Sequence, residues 1–149
     1  MLRVINNSAS TTGTVFRAQS NSTAGTGLIV DADNTTGIGT ATPTSTLHVG
    51  GSVAMPIKTI NTTPYNATES DYTILCNNGN MTINLPQAST VPGRIYVIKR
   101  ISALGTITLD PNGTELIDGI LTNTIINNTY ECAMIQCDGT AWYIIGKFL

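Results

Sequence analysis

The sequence predicts an all-β protein: a β shaft completed by further copies of the chain, followed by a β-sandwich or jelly-roll-like module. Composition is the first reason. Thr, Asn and Ser make up about a third of the 149 residues while Lys and Glu are scarce, which suits strands and turns and is poor material for exposed helix faces. Patterning is the second, because from Ile57 onward short apolar runs alternate with turn dipeptides. The third is that residues 1–56 carry too few apolar residues to bury a core alone.

Residues 57–149 are expected to form a C-terminal antiparallel β module. Met81-Thr82-Ile83-Asn84-Leu85 alternates apolar and polar with period two, the mark of a strand with one buried face. Arg94 to Ile101 is apolar on both faces through its middle, which predicts a central strand. Thr106 to Leu109, Tyr130 to Gln136 and Trp142 to Ile145 supply further strands. Asn78-Gly79, Pro92-Gly93, Asn112-Gly113, Asp118-Gly119 and Asp138-Gly139 stand between them as turn signals.

Residues 1–56 read as a repetitive β shaft. Their apolar pieces are Leu2-Arg3-Val4-Ile5, Thr14-Val15-Phe16-Arg17, Leu28-Ile29-Val30 and Thr46-Leu47-His48-Val49, separated by long Ser/Thr/Asn/Gly tracts. Such regularly placed pieces imply a core that identical chains complete, through Val15, Phe16, Leu28, Val30, Leu47 and Val49.

The stretch Gly37-Ile38-Gly39-Thr40, Pro43, Leu47-His48-Val49 and Gly51 resembles the GIGT-x-x-P-x-x-x-LHV-x-G motif of phage tail fibres and similar virion fibres. The segments from Ser70 to Ile74, Gly93 to Lys99 and Asp138 to Ile145 look like the β module that comes next in such fibres. The resemblance implies an intertwined trimeric β shaft. It also implies a virion structural protein, made in the host cytoplasm, whose partners are itself, other virion proteins and a host-surface glycan or protein. It further suggests a short fibre or a piece of one. Two alternatives belong to other classes: a capsid-decorating head fibre with a structural role, and a bacterial cell-surface adhesin module.

Charge and composition exclude several functions. Charged residues are 11% of the chain and the net charge is -2, so no basic surface is available to neutralise phosphates, and nucleic acid is not an expected partner. No apolar stretch is long enough for a membrane-spanning helix and no export signal is visible, so no membrane insertion is expected. The odd set Cys76, Cys132 and Cys137 lacks zinc-site spacing and reads as unbridged thiols. Cys132 and Cys137, five apart on a strand, should face opposite ways.

No enzyme is expected. Asp110, Glu115 and Asp118 are the one carboxylate group resembling a glycosidase pair, but Asp110 and Asp118 belong to turn signatures. Asp31 to Gly37 lacks the Gly placement and bidentate Glu of a calcium loop and reads as a polar loop. His48, the single histidine, is expected to face away from Leu47 and Val49 and to meet solvent or hydrogen-bond between chains, so neither a metal nor another cofactor is expected. For binding, the candidates are aromatic platforms: Trp142 or Tyr143, adjacent and therefore on opposite strand faces, with Tyr65, Tyr72 and Tyr96. Ile144 and Phe148 should share the Trp142 face, which favours the core for the indole.

Overall fold

The structure, a computed structural model, describes residues 14–19, 27–121 and 123–148. The Leu2 to Ile5 piece of the expected repeat lies outside the described residues. The chain divides into two units, Met1–Ala54 and Met55–Leu149, two residues from the boundary expected at 56/57. Among the described residues it is nearly all β, in three sheets, with no α-helix.

The first unit is one sheet of four strands in chain order, β1 (Thr14–Gln19), β2 (Gly27–Asp31), β3 (Thr36–Ile38) and β4 (Leu47–Val49). Strands β1 to β3 pair antiparallel, whereas β3 and β4 are parallel. Asp31 to Gly37 forms the polar turn between β2 and β3. There the Asp31 N–H donates to the Thr35 carbonyl at 2.9 Å, and the Asp33 carboxylate accepts the Thr35 hydroxyl at 2.6 Å.

Parallel neighbours ordinarily need a crossover of a dozen or more residues, yet residues 39–46 suffice here. The motif residues explain how. A Cβ on Gly37 would stand 2.7 Å from the Thr40 carbonyl oxygen, so only glycine lets the crossover lie directly on the strand beneath it. The loop is tied at both ends, the Thr36 N–H donating to the Thr46 carbonyl at 2.9 Å and the Gly50 N–H to the Ile38 carbonyl at 2.8 Å. His48 holds its middle, accepting the Thr44 N–H on Nδ1 at 3.3 Å.

The second unit contains β5 (Ile57–Ile60), β6 (Tyr65–Asn66), β7 (Thr73–Cys76), β8 (Met81–Asn84), a short 3-10 helix (Ala88–Thr90) and β9 (Ile95–Arg100). It continues with β10 (Ile107–Asp110), β11 (Asn123–Ile126), β12 (Cys132–Cys137) and β13 (Trp142–Phe148). One sheet has the order β13-β12-β9-β7-β5 and the other β11-β10-β8-β6.

Successive strands from β5 to β10 alternate between the two sheets, and within each sheet they pair parallel. The chain thus winds through three coils, each laying one strand in either sheet. Only β11, β12 and β13 enter antiparallel. The expected antiparallel module is corrected by this pairing. Period-two alternation reports one buried face per strand and is blind to strand direction.

Ile74, Cys76, Tyr96, Ile98, Ile135 and Trp142 from the five-stranded sheet form one buried cluster with Met81, Ile83, Ile107, Leu109 and Ile126 from the other. The Arg94 to Ile101 run is indeed central, β9 lying between β12 and β7. A register shift in the β12–β13 pair leaves Ile145 without a partner, with Ile135 opposite Ile144 and Met134 opposite Gly146. This bulge reverses the facing of the residues beyond it. Lys147 comes opposite buried Ala133, while Phe148, expected beside Trp142, is 58% exposed opposite outward Cys132.

Candidate functional site

In the first unit, the register places the predicted interchain residues on one face of the sheet. Phe16 stands opposite Val30, Leu28 opposite Ile38, Ile38 opposite Val49, and Thr36 opposite Leu47. Phe16, Leu28, Val30, Leu47 and Val49 therefore share a face, joined by Ile38, which the sequence reading did not single out. None of the six is fully buried within the chain, and Leu47 is 59% exposed. Val15 falls at a register irregularity and has no assigned partner. The opposite face carries Ile29, Gly37 and His48. Ile29 is fully buried there, and the crossover loop covers Gly37.

The second unit has two outer faces of opposite character. Outward positions of the five-stranded sheet include Ile57, Leu75, Ile95, Val97, Met134 and Phe148, interspersed with Thr59, Thr73, Gln136 and the charged Lys99. Outward positions of β6, β8 and β10 in the four-stranded sheet are polar: Thr82, Thr108, Asn66, Asn84 and Asp110. A polar face and a predominantly apolar, partly exposed face stand on opposite sides of one core.

The predicted aromatic platform does not assemble. Tyr96 is corrected to a core residue, and Trp142 lies in the core, the role favoured for it over a platform; both are fully buried and stacked on one another, so neither presents a ring to a ligand. The Tyr96 hydroxyl donates to the Thr68 carbonyl at 2.9 Å, and burial raises its pKa above that of a free phenol. The Trp142 indole N–H finds no acceptor among the described residues. Tyr65 is half-buried and serves a polar network, receiving the Lys58 ammonium at 2.8 Å and donating to Asp71 at 2.9 Å. Tyr72 lies in a separate shallow depression with Met55, Pro92 and Ile95. Tyr143 is exposed, as expected of the outward partner of Trp142, and lines a further depression with Gln136, Asp138 and Ile145.

No protein-family model matches the chain, and no curated protein does. The site is therefore judged on its residues.

The carboxylates Asp110, Glu115 and Asp118 are dispersed by separate structural duties. Glu115 accepts the Ala88 N–H at 2.9 Å and so anchors the 3-10 helix. Asp118 sits at positive φ in the Asp118-Gly119 turn and accepts the Ile144 N–H at 3.3 Å. Asp110 ends β10. Cys132 faces outward and Cys137 inward, and all three cysteines are free. Among the described residues no group of His, Cys, Asp and Glu is placed to hold a metal ion.

A cleft of about 380 Å³ opens at the carboxyl ends of β6, β8 and β10. The register aligns Asn66 with Asn84 and Asn84 with Asp110, one residue from each parallel strand. The Asn84 side-chain amide donates to the Asn66 side-chain oxygen at 2.8 Å. Sequence reasoning missed this row, although its signal recurs in Tyr65-Asn66-Ala67, Ile83-Asn84-Leu85 and Leu109-Asp110-Pro111. Each is an Asx between an inward strand residue and a buried apolar one. Only the parallel coil brings the three repeats together.

Proposed function

We propose that the chain is a homotrimeric fibre protein of a phage virion, an intertwined β shaft followed by a sandwich-like module that attaches to a host-surface glycan without turning it over. The observation that carries this reading is the apolar face of the first sheet, Phe16, Leu28, Val30, Ile38, Leu47 and Val49, none of which is fully buried among the described residues. A lone sheet is not stable with such a face in water. Ile38 and Leu47 are exposed and Phe16, Leu28, Val30 and Val49 partly buried, so covering the face contributes on the order of a few kcal/mol per copy, a useful fraction of the stability of a small domain. Copies of the same chain are the economical cover, because each brings an identical face. The number three comes from the resemblance of the Gly37 to Gly51 motif to fibre shafts.

The contrast in the second unit supports the same arrangement. An apolar outer sheet face suits contact between copies, and a polar outer face suits display toward the host. A virion location, with other virion proteins as neighbours along the fibre, belongs to this reading, as does function without a cofactor.

Light scattering of the full chain tests the proposal. The expected mass is three times the 15.7 kDa of one chain. Leu47→Asp, which sets a charge on the proposed interface, should lower it toward one chain. A monomeric mass for the unsubstituted protein at micromolar concentration overturns the reading. Release of oligosaccharides from host polysaccharide would overturn the binding-only part.

A further inference from the structure

We propose that the cleft at the carboxyl ends of β6, β8 and β10 is a saccharide site, in which Asn66, Asn84 and Asp110 hold the hydroxyl groups of a neutral sugar. The proposal deepens the attachment reading above, and rests on it for the source of the ligand.

The polar half of the site is built by the coil. Three adjacent parallel strands place Asn66, Asn84 and Asp110 in one register, so their side chains stand in a row at roughly the 4.8 Å strand spacing. The bond from Asn84 to Asn66 fixes both amides. It leaves the Asn84 carbonyl oxygen as an acceptor and the Asn66 amide nitrogen as a donor. Among the described residues neither atom has another partner, and the Asp110 carboxylate has none either. The row therefore offers a donor, a neutral acceptor and a charged acceptor in sequence. A sugar hydroxyl both donates and accepts, so neighbouring hydroxyls on a ring match such a row, and the carboxylate can accept two of them.

The apolar half comes chiefly from partly exposed Pro86, with buried Leu85 and Pro111 forming the base of the same cleft. They suit the C–H surface of a pyranose, which is as amphipathic as the cleft. The volume lies within the usual range for small-molecule sites. A divalent cation fits less well, because one carboxylate neutralises half its charge and the Asn66 oxygen is already engaged. An anionic polymer is disfavoured by Asp110 itself. In an assembly of copies the cleft is repeated, and repetition raises avidity for a repeated surface glycan.

The test uses the full-length chain and an array of neutral oligosaccharides ending in glucose, galactose, rhamnose or N-acetylhexosamine. At least one should bind, and Asn84→Ala and Asp110→Asn should each weaken that binding about tenfold, as expected for a lost hydrogen bond of about 1.4 kcal/mol. Thr82→Ala, on the same face but outside the cleft, should leave it unchanged. Melting temperatures of the variants check the fold. In the unsubstituted protein the same sugar should shift the side-chain amide NMR signals of Asn66 and Asn84, a readout that needs no variant. No bound oligosaccharide, binding that survives both substitutions, or shifts of those amides by calcium chloride alone would each overturn the site. The outcome separates from that of the fibre reading: a monomeric mass overturns the fibre and leaves the cleft, whereas a trimer whose sugar binds elsewhere overturns the cleft and leaves the fibre.

Discussion

Trp142 stacks on Tyr96 inside the second unit, with ring centroids 5.7 Å apart and planes 24° apart. The two rings come from different strands of the same sheet, β13 and β9, and span the intervening β12. Trp142→Ala should therefore cost about 3–5 kcal/mol, the usual range for emptying a buried indole site. Trp142→Phe should cost clearly less, since the indole N–H has no acceptor among the described residues and the substitution removes volume but no hydrogen bond. Urea denaturation followed by circular dichroism measures both. Equal losses for the two variants would show that a phenyl ring recovers none of the packing that the indole supplies.

The Glu131 to Lys147 contact should set the acid limit of stability. Glu131 is buried, its carboxylate 2.9 Å from the Lys147 ammonium. Burial alone would raise its pKa, but the Asn128 N–H, the Lys147 ammonium and the Asn127 N–H outweigh burial and lower it from 4.5 to about 2. A depressed acid stabilises the fold above its unfolded pKa and loses that contribution as pH falls through the folded value. The melting temperature should thus fall as pH drops from about 4.5 toward 2. Asp138, also lowered to about 2 by the Ala141 and Thr140 N–H groups, acts in the same window. Glu131→Gln should flatten the fall in part and lower stability at neutral pH. An unchanged pH profile in that variant would exclude the pair as the cause.

The register of this pair explains where sequence reading succeeded and where it stopped. Alternation at Met81 to Leu85 and the two-sided run at Ile95 to Ile98 were legible because burial is a property of single strands. The parallel coil was not, because strand partners lie far apart in the chain and each strand looks the same in either direction. Phe148 was misplaced for a local reason: one extra residue, Ile145, turns the end of β13 over and delivers Lys147 to Glu131. Tyr96 was misread as a surface platform because an aromatic in a strand apolar on both faces carries no sign of which face meets the core. Phe16, Leu28, Val30, Leu47 and Val49 could be named together from the sequence, but their common face comes only from the register, and Val15 was not separable from Phe16 without the register shift.

Gly37 should be hard to replace. Its missing Cβ makes room for the Thr40 backbone, which cannot rotate aside as a side chain would. Gly37→Ala should destabilise the first unit by about 1–3 kcal/mol, the usual cost of forcing one extra carbon into a packed site. Amide exchange of the Gly50 N–H, bonded to the Ile38 carbonyl, reports it directly and should accelerate. Unaltered exchange would show that the loop can lift without cost.

Thiol labelling reads the outer face of the five-stranded sheet. Cys76 is buried, and burial pushes its pKa up to about 12, so almost no thiolate exists at neutral pH. Cys137 is buried as well, and burial raises its pKa before the Gly139 N–H partly offsets the shift. Cys132, half-buried on the outer face opposite Lys99 and Phe148, is the accessible thiol. Iodoacetamide under native conditions should therefore modify Cys132 well ahead of the other two, and after unfolding without reductant all three should react, since none is bridged. The assembly adds a second condition. If copies meet through this face, Cys132 should react several-fold more slowly in the unsubstituted protein than in Leu47→Asp, whose substitution lies in the other unit. Mass spectrometry of the digested protein gives both rates. Equal rates in a protein shown to be trimeric would confine contact between copies to the first unit and leave the apolar face of the second to a different partner.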